Sequence, residues 1–203
     1  MKLLFTSKGL NTPKILDAFR NLLTKPLKDV KVQIFYDKPP IPNFDMRAYI
    51  DEDKQRLINL GIPSENIQEF DFCDEMPPNL DDIDVVFVLG GNEYQYMYHI
   101  RQLGYTAEIR KHVNSNKVYV GRSAGAVIMG PDIDIKHWSI FSNDFGLQDT
   151  SGFGFVDFIT VPHIDTKQDP EKVLDFHRKT GHKMIYLTDK QGIVIIDDLY
   201  KIV

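Results

Sequence analysis

The chain is poor in cysteine. Cys73 stands alone among 203 residues. An intramolecular disulfide is impossible, so packing and hydrogen bonds must hold the fold, as suits a reducing compartment. Cys73 lies in EFDFCDEMPP, with no Cys or His around it at metal-ligand spacing. It reads as a structural or incidental thiol, and no metal site is expected. Long apolar runs are also missing; none approaches the ~20 residues needed to cross a bilayer. The opening MKLLFTSKG puts a lysine before an apolar stretch far too short for a signal peptide. A cytoplasmic location is the expectation. Positive charge is in deficit, with 24 Lys and Arg against 29 Asp and Glu, a net charge of −5. That argues against general binding to nucleic acid or to an anionic membrane, both of which need a basic face. There is no G-x-G-x-x-G and no Walker A sequence, so the usual phosphate cradles are absent too.

What is present is an ordinary globular composition, 42% hydrophobic and 26% charged. No repeat, low-complexity tract or linker interrupts it, and residues 1–203 read as one domain with a sizeable core. Strand and helix patterns alternate over the first two thirds. Strands are predicted over 2–5, 30–36, 67–72, 84–89 and 117–120. Helices are predicted from Thr12-Pro13 to about residue 24, over 45–60 with Gly61 as a stop, and over 93–103 and 106–113. The run DVVFVL at 84–89 is apolar from Val85 onward, which suits the centre of a parallel sheet covered on both faces. After Gly130 the pattern loosens into a surface excursion over 131–154. A strand at 158–161, a helix at 171–180 and a three-strand meander over 184–187, 192–196 and 199–203 complete the chain. The predicted architecture is α/β: a mostly parallel sheet between helical layers, with an antiparallel C-terminal edge.

Three sites carry chemistry. The segment KVYVGRSAGAVIMG at 117–130 reads as a buried strand, a tight turn and the start of a helix. That is the layout of a nucleophile elbow, with Ser123 at the tip of a strained turn and small residues Gly121, Ala124 and Gly125 around it. Leu89-Gly90-Gly91-Asn92 follows the DVVFVL strand, and its glycine N–H groups can face a developing oxyanion. Both turns belong at the carboxyl ends of parallel strands, where open α/β sheets bind ligands. The third need is a base, because a serine hydroxyl is a poor nucleophile until its proton is taken. His99, His112, His177 and His182 lie in helical stretches among charged residues and read as solvated. His163 closes the strand-like FITVPH and can meet Ser123 across the top of the sheet. His137, in the loose excursion, is its competitor.

GRSAGA at 121–126, LGGN at 89–92 and VPH at 161–163 together resemble peptidase family S51, in order and in spacing. The family contains peptidase E, an aspartyl dipeptidase. The resemblance implies a three-layer sandwich similar to class I glutamine amidotransferases, which are flavodoxin-like, with serine in place of cysteine at the elbow. It implies a serine peptidase acting on small peptides without metal or organic cofactor. Ser123 matches the nucleophile and His163 the general base. Gly91 and Ala124 match the positions whose backbone amides form the oxyanion hole.

The acidic member behind the base does not carry over. In peptidase E it lies about fifteen residues after the serine, and Trp138 stands at that distance here. Asp165, two residues beyond His163, has an offset that resembles glutamine amidotransferases and is the first candidate; Asp134 and Asp132 are the others. Arg122 is the basic residue nearest Ser123 in sequence, but the cation that an aspartyl substrate needs is not assignable from sequence. A non-peptidase esterase and a silent binding module of the same fold remain alternative readings. The expected partner is a small peptide, on a monomer or homodimer.

Overall fold

Short runs rich in Val, Ile, Leu and Phe build a central sheet whose side chains alternate between two buried faces. The computed structural model describes residues 1–38, 45–74, 76–134, 141–166 and 169–203. Five strands are parallel: β1 (Lys2–Thr6), β2 (Val32–Tyr36), β3 (Ile67–Asp71), β4 (Val85–Val88) and β5 (Val118–Arg122). Residues Gly192–Ile196 and Leu199–Ile202 form β8 and β9, which add antiparallel strands beyond β1. The strand order is β3-β2-β4-β5-β1-β8-β9. In register, Leu3 lies beside Tyr119 and Ile195, and Val86 beside Tyr119.

The period of two sorts these strands. Leu3, Phe5, Phe35, Val86, Val88 and Tyr119 enter one core. Leu4, Ile34, Val85, Phe87, Val118 and Val120 enter the other. The second is covered by α1 (Pro13–Leu22), through Ile15, Phe19 and Leu22, and by α2 (Met46–Leu60), through Ile50 and Leu57. The first is covered by α3 (Glu93–Gln102), α4 (Thr106–Asn114) and the short α5 (Ala124–Val127). The result is the expected three-layer sandwich. The end signals also act as read: Thr12 and Asp45 cap α1 and α2 by accepting from Ile15 N and Ala48 N, and Gly61 ends α2 at φ 115°.

The meander prediction needs correction. Phe158–Val161 forms β6 and Lys183–Tyr186 forms β7, and these two pair in parallel in a separate two-stranded sheet. A parallel pair needs a crossover rather than a tight turn, and α6 (Pro170–Thr180) supplies it. Only β8 and β9 make the antiparallel edge. His163 therefore follows a strand of the small sheet and not of the large one. Among the described residues no helix is long and apolar enough to cross a membrane.

His112 is a second correction. It is 2% exposed, not solvated, because it falls beside Ile109 and Val113 on the buried stripe of α4. Its Nε2 meets Val118 O at 2.9 Å, and Nδ1 has no partner among the described residues. Burial pushes its pKa down to about 4. The unfolded chain binds this proton from about pH 6.5 downward, while the folded chain refuses it until about pH 4. Stability therefore falls as pH drops across that window, by about 3 kcal/mol from this residue. Denaturant melts at pH 7 and pH 4.5 should show the loss, and His112→Gln should reduce it. An unchanged pH slope in the variant would assign the loss elsewhere.

Candidate active site

The parallel strands deliver their following residues to one edge of the sheet. Ser7 follows β1, Asp37 follows β2, Gly90-Gly91 follow β4, and Ser123 follows β5. Ser123 adopts φ 50°, ψ −112°, which a side chain rarely tolerates, and α5 begins at the next residue. Its carbonyl accepts from Ala126 N at 2.8 Å and Val127 N at 3.1 Å. Ala124 and Gly125 open the helix, where N–H groups have no acceptor within the helix itself. The turn closes only because side chains are missing around it. A Cβ on Gly125 would run into the Val88 carbonyl, and one on Gly90 would strike the Tyr49 hydroxyl and lie 3.2 Å from Ser123 Cβ. Gly90 is thus packed against the serine, while Gly91 faces Tyr96 and the Asp37 carbonyl.

His163 also has a positive φ, 59°, and is 8% exposed. Its Nε2 is 3.2 Å from Ser123 Oγ, and its Nδ1 is 2.5 Å from Asp189 Oδ1. Burial alone would raise the Asp189 carboxyl. The hydrogen bond and charge of His163, joined by the hydroxyls of Ser7 and Thr166, outweigh that and hold it below the ordinary carboxylate value. Facing an ionised carboxylate, Nδ1 carries the proton, which leaves Nε2 free to accept from the serine O–H. Ser7 completes the support. This fully buried hydroxyl accepts from His163 N at 2.8 Å, donates to Asp189 Oδ1 at 3.1 Å and lies 3.3 Å from Nδ1.

The structure brings together Ser123 and His163 as the sequence suggested, but the carboxylate on the imidazole is Asp189 rather than Asp165. After His163 the chain turns, with Thr166 N bonded to His163 O at 3.1 Å, and Asp165 Oδ1 accepts the Asp189 N–H at 3.0 Å. Asp165 thus fastens the loop that carries Asp189. Asp134 accepts from the Tyr94 hydroxyl at 2.9 Å, and Asp132 accepts from Asp134 N at 2.8 Å. His137 and Trp138 lie outside the described residues. Ser7 and Asp189 escaped the sequence reading. Their one signal is placement, Ser7 just past an apolar strand and Asp189 in the turn between two strands.

Arg122 points away from this chemistry. Its Nη1 donates to the buried Asp53 at 2.6 Å, its Nη2 reaches Glu52 at 3.3 Å, and its guanidinium stacks 3.8 Å from the Tyr49 ring centroid. All three partners belong to α2, so the elbow is braced from the far side of the sheet. An Arg committed in this way is not a spare cation for a substrate carboxylate.

The model of peptidase family S51 matches residues 4–203. The chain belongs to peptidase family S51. The S51 assignment makes it an enzyme of the peptidase class, and curated relatives agree. A Pasteurella multocida protein named an uncharacterized peptidase is 26% identical over 165 residues, covering 74% of this chain and 78% of that protein. Peptidase E of Shewanella denitrificans is 29% identical over 126 residues, covering 61% of this chain and 50% of that enzyme. The crystal structure of a candidate peptidase E from Listeria monocytogenes superposes with a TM-score of 0.80 at 22% identity, covering 100% of this chain and 97% of that one. That superposition shows the shared fold, the flavodoxin-like sandwich of the S51 peptidases.

Proposed function

We propose that this S51 peptidase is of the serine type and hydrolyses short peptides, Asp-X dipeptides among them. The observation that supports it most is the line Ser123 Oγ, His163, Asp189, with separations of 3.2 Å and 2.5 Å. Ser123 Oγ attacks the scissile carbonyl carbon while His163 Nε2 takes its proton. Asp189 and Ser7 hold the imidazole in the tautomer that this transfer requires. The oxygen of the tetrahedral intermediate receives hydrogen bonds from the amides of Gly91 and Ala124. Collapse breaks the C–N bond, and the amine leaves with the proton from Nε2. Water then repeats the sequence on the acyl-enzyme and restores Ser123. The aspartyl class comes from the resemblance to peptidase E; Arg122 does not supply its recognition.

Treating the folded protein with a fluorophosphonate should place one adduct on Ser123, found by peptide mapping. A dipeptide panel beside a set of acyl esters should show peptide cleavage, with Asp-X dipeptides among the substrates. No adduct on Ser123 would sink the serine mechanism. Ester turnover without peptide turnover would move the substrate class.

A further inference from the structure

A second cluster lies at the same sheet edge, outside the groups the mechanism uses. Asp37 follows β2 and is fully buried. Its Oδ2 is 2.6 Å from His99 Nδ1, and its Oδ1 is 3.4 Å from Cys73 Sγ. One ligand atom from each residue lies within 4.8 Å of the other two. The elements are unrelated in sequence: the residue after β2, the turn after β3, and the last turn of α3. This is why the isolated Cys73 carried no metal signal when read along the chain.

We propose that Asp37, Cys73 and His99 form a binding site for one zinc-class divalent cation. The donor set is a carboxylate, a thiol and an imidazole, the mixture a borderline-soft cation takes in tetrahedral sites. Zinc with these donors needs mutual separations of about 3.3–3.6 Å, set by bond lengths of about 2.0–2.3 Å. The Asp37–Cys73 separation of 3.4 Å already lies in that range, and the Asp37–His99 pair, at 2.6 Å, would have to open by about 0.7 Å on binding. The local charge favours a cation. Asp71 adds a further carboxylate beside Asp37 and Cys73. No Lys or Arg side chain is bonded to Asp37 among the described residues.

Supports are present as well. Gln95 Nε2 donates to Asp37 Oδ1 at 2.5 Å and to Lys38 O at 3.0 Å, which fixes the carboxylate. Gln95 is 5% exposed, yet its Oε1 has no hydrogen-bond partner among the described residues. A buried amide oxygen left over beside an acidic cluster is an unmet demand that a bound cation, or a water on it, answers. The rings of Tyr98 and Phe145 pack on His99 at 5.3 Å and 5.5 Å and shield it from water. Binding would expel the thiol proton and leave the imidazole proton on Nε2, so that thiolate and Nδ1 both face the metal. The site also adjoins the peptidase centre: a Cβ built on Gly91 would lie 3.4 Å from the Asp37 carbonyl.

The test is titration of the whole metal-free protein with Co²⁺ and Zn²⁺. One equivalent of Co²⁺ should bind with a near-ultraviolet thiolate-to-cobalt band and tetrahedral visible absorption, and Zn²⁺ should displace it. Cys73→Ser should remove the thiolate band, and His99→Gln should weaken Zn²⁺ binding by at least about 10-fold, since loss of even a supporting contact costs 10–100-fold. Cys73 is exposed, so its variant should keep the fold. Binding without the thiolate band, binding unchanged in Cys73→Ser, or no stoichiometric binding would each overturn the proposal.

Discussion

Ser123→Ala should reduce kcat on a cleaved dipeptide by about 10⁶-fold, the loss seen when a serine nucleophile is removed from an assembled triad. No other hydroxyl stands at the tip of the elbow, so no neighbour replaces the oxygen. Residual rate should not vanish, because the substitution leaves the proposed oxyanion donors, the amides of Gly91 and Ala124, in place. The fold should survive. The hydroxyl gives up one neutral hydrogen bond, to His163 Nε2, about 1 kcal/mol by the usual measure. Thermal melts of wild type and variant should therefore nearly coincide while peptide hydrolysis differs by orders of magnitude. Hydrolysis retained by a correctly folded Ser123→Ala protein would end the serine mechanism.

Asp189→Asn carries the second large effect, about 10⁴-fold in kcat. The amide keeps the shape but offers N–H as well as oxygen to His163 Nδ1. The imidazole proton then settles on Nε2, where it blocks transfer from Ser123. Asp165→Asn, by contrast, weakens one hydrogen bond to the Asp189 backbone and should cost less than about tenfold, the rate equivalent of 1.4 kcal/mol. Parallel kinetics of the two variants separate the assignments, and the reverse ranking would make Asp165 the partner of the base. Because the folded Asp189 carboxyl lies below its ordinary value, the stability it contributes is complete above about pH 4 and is lost only as pH falls through the lower folded value. Activity changes near neutral pH in wild type therefore do not report on Asp189.

Those two carboxylates show where sequence reading stops. The elbow was legible because its chemistry is local: an apolar strand, small residues and a helix start are neighbours in the chain. The helix ends at Thr12, Asp45 and Gly61 were legible for the same reason. Asp189 was not, because it meets His163 across 26 residues, through a parallel pairing of β6 and β7 that periodicity cannot announce. Asp165 came first because its offset resembles glutamine amidotransferases, but the turn closed by Thr166 N on His163 O leaves its side chain on the Asp189 N–H and not on the imidazole. His99 and His112 were read as solvated from their charged neighbours, although His112 shares the i+3 stripe of Ile109. Burial on a helix follows the stripe, not the average polarity around it.

The pairing of β1 with both β5 and β8 has a consequence for the order of synthesis. Ser7 is made early and waits, and its bond to Asp189 spans 182 residues. On the ribosome, the elbow strand β5 can dock beside β1 well before residues 189–196 exist. Until β8 closes on the other side of β1, the imidazole lacks the carboxylate that sets its tautomer. Such late, long-range contacts are also the slow ones in folding. Until then the proposed line of Ser123, His163 and Asp189 is incomplete in the nascent chain. The contact between imidazole and carboxylate waits for residue 189, and a chain lacking it should be slowed at least as much as Asp189→Asn.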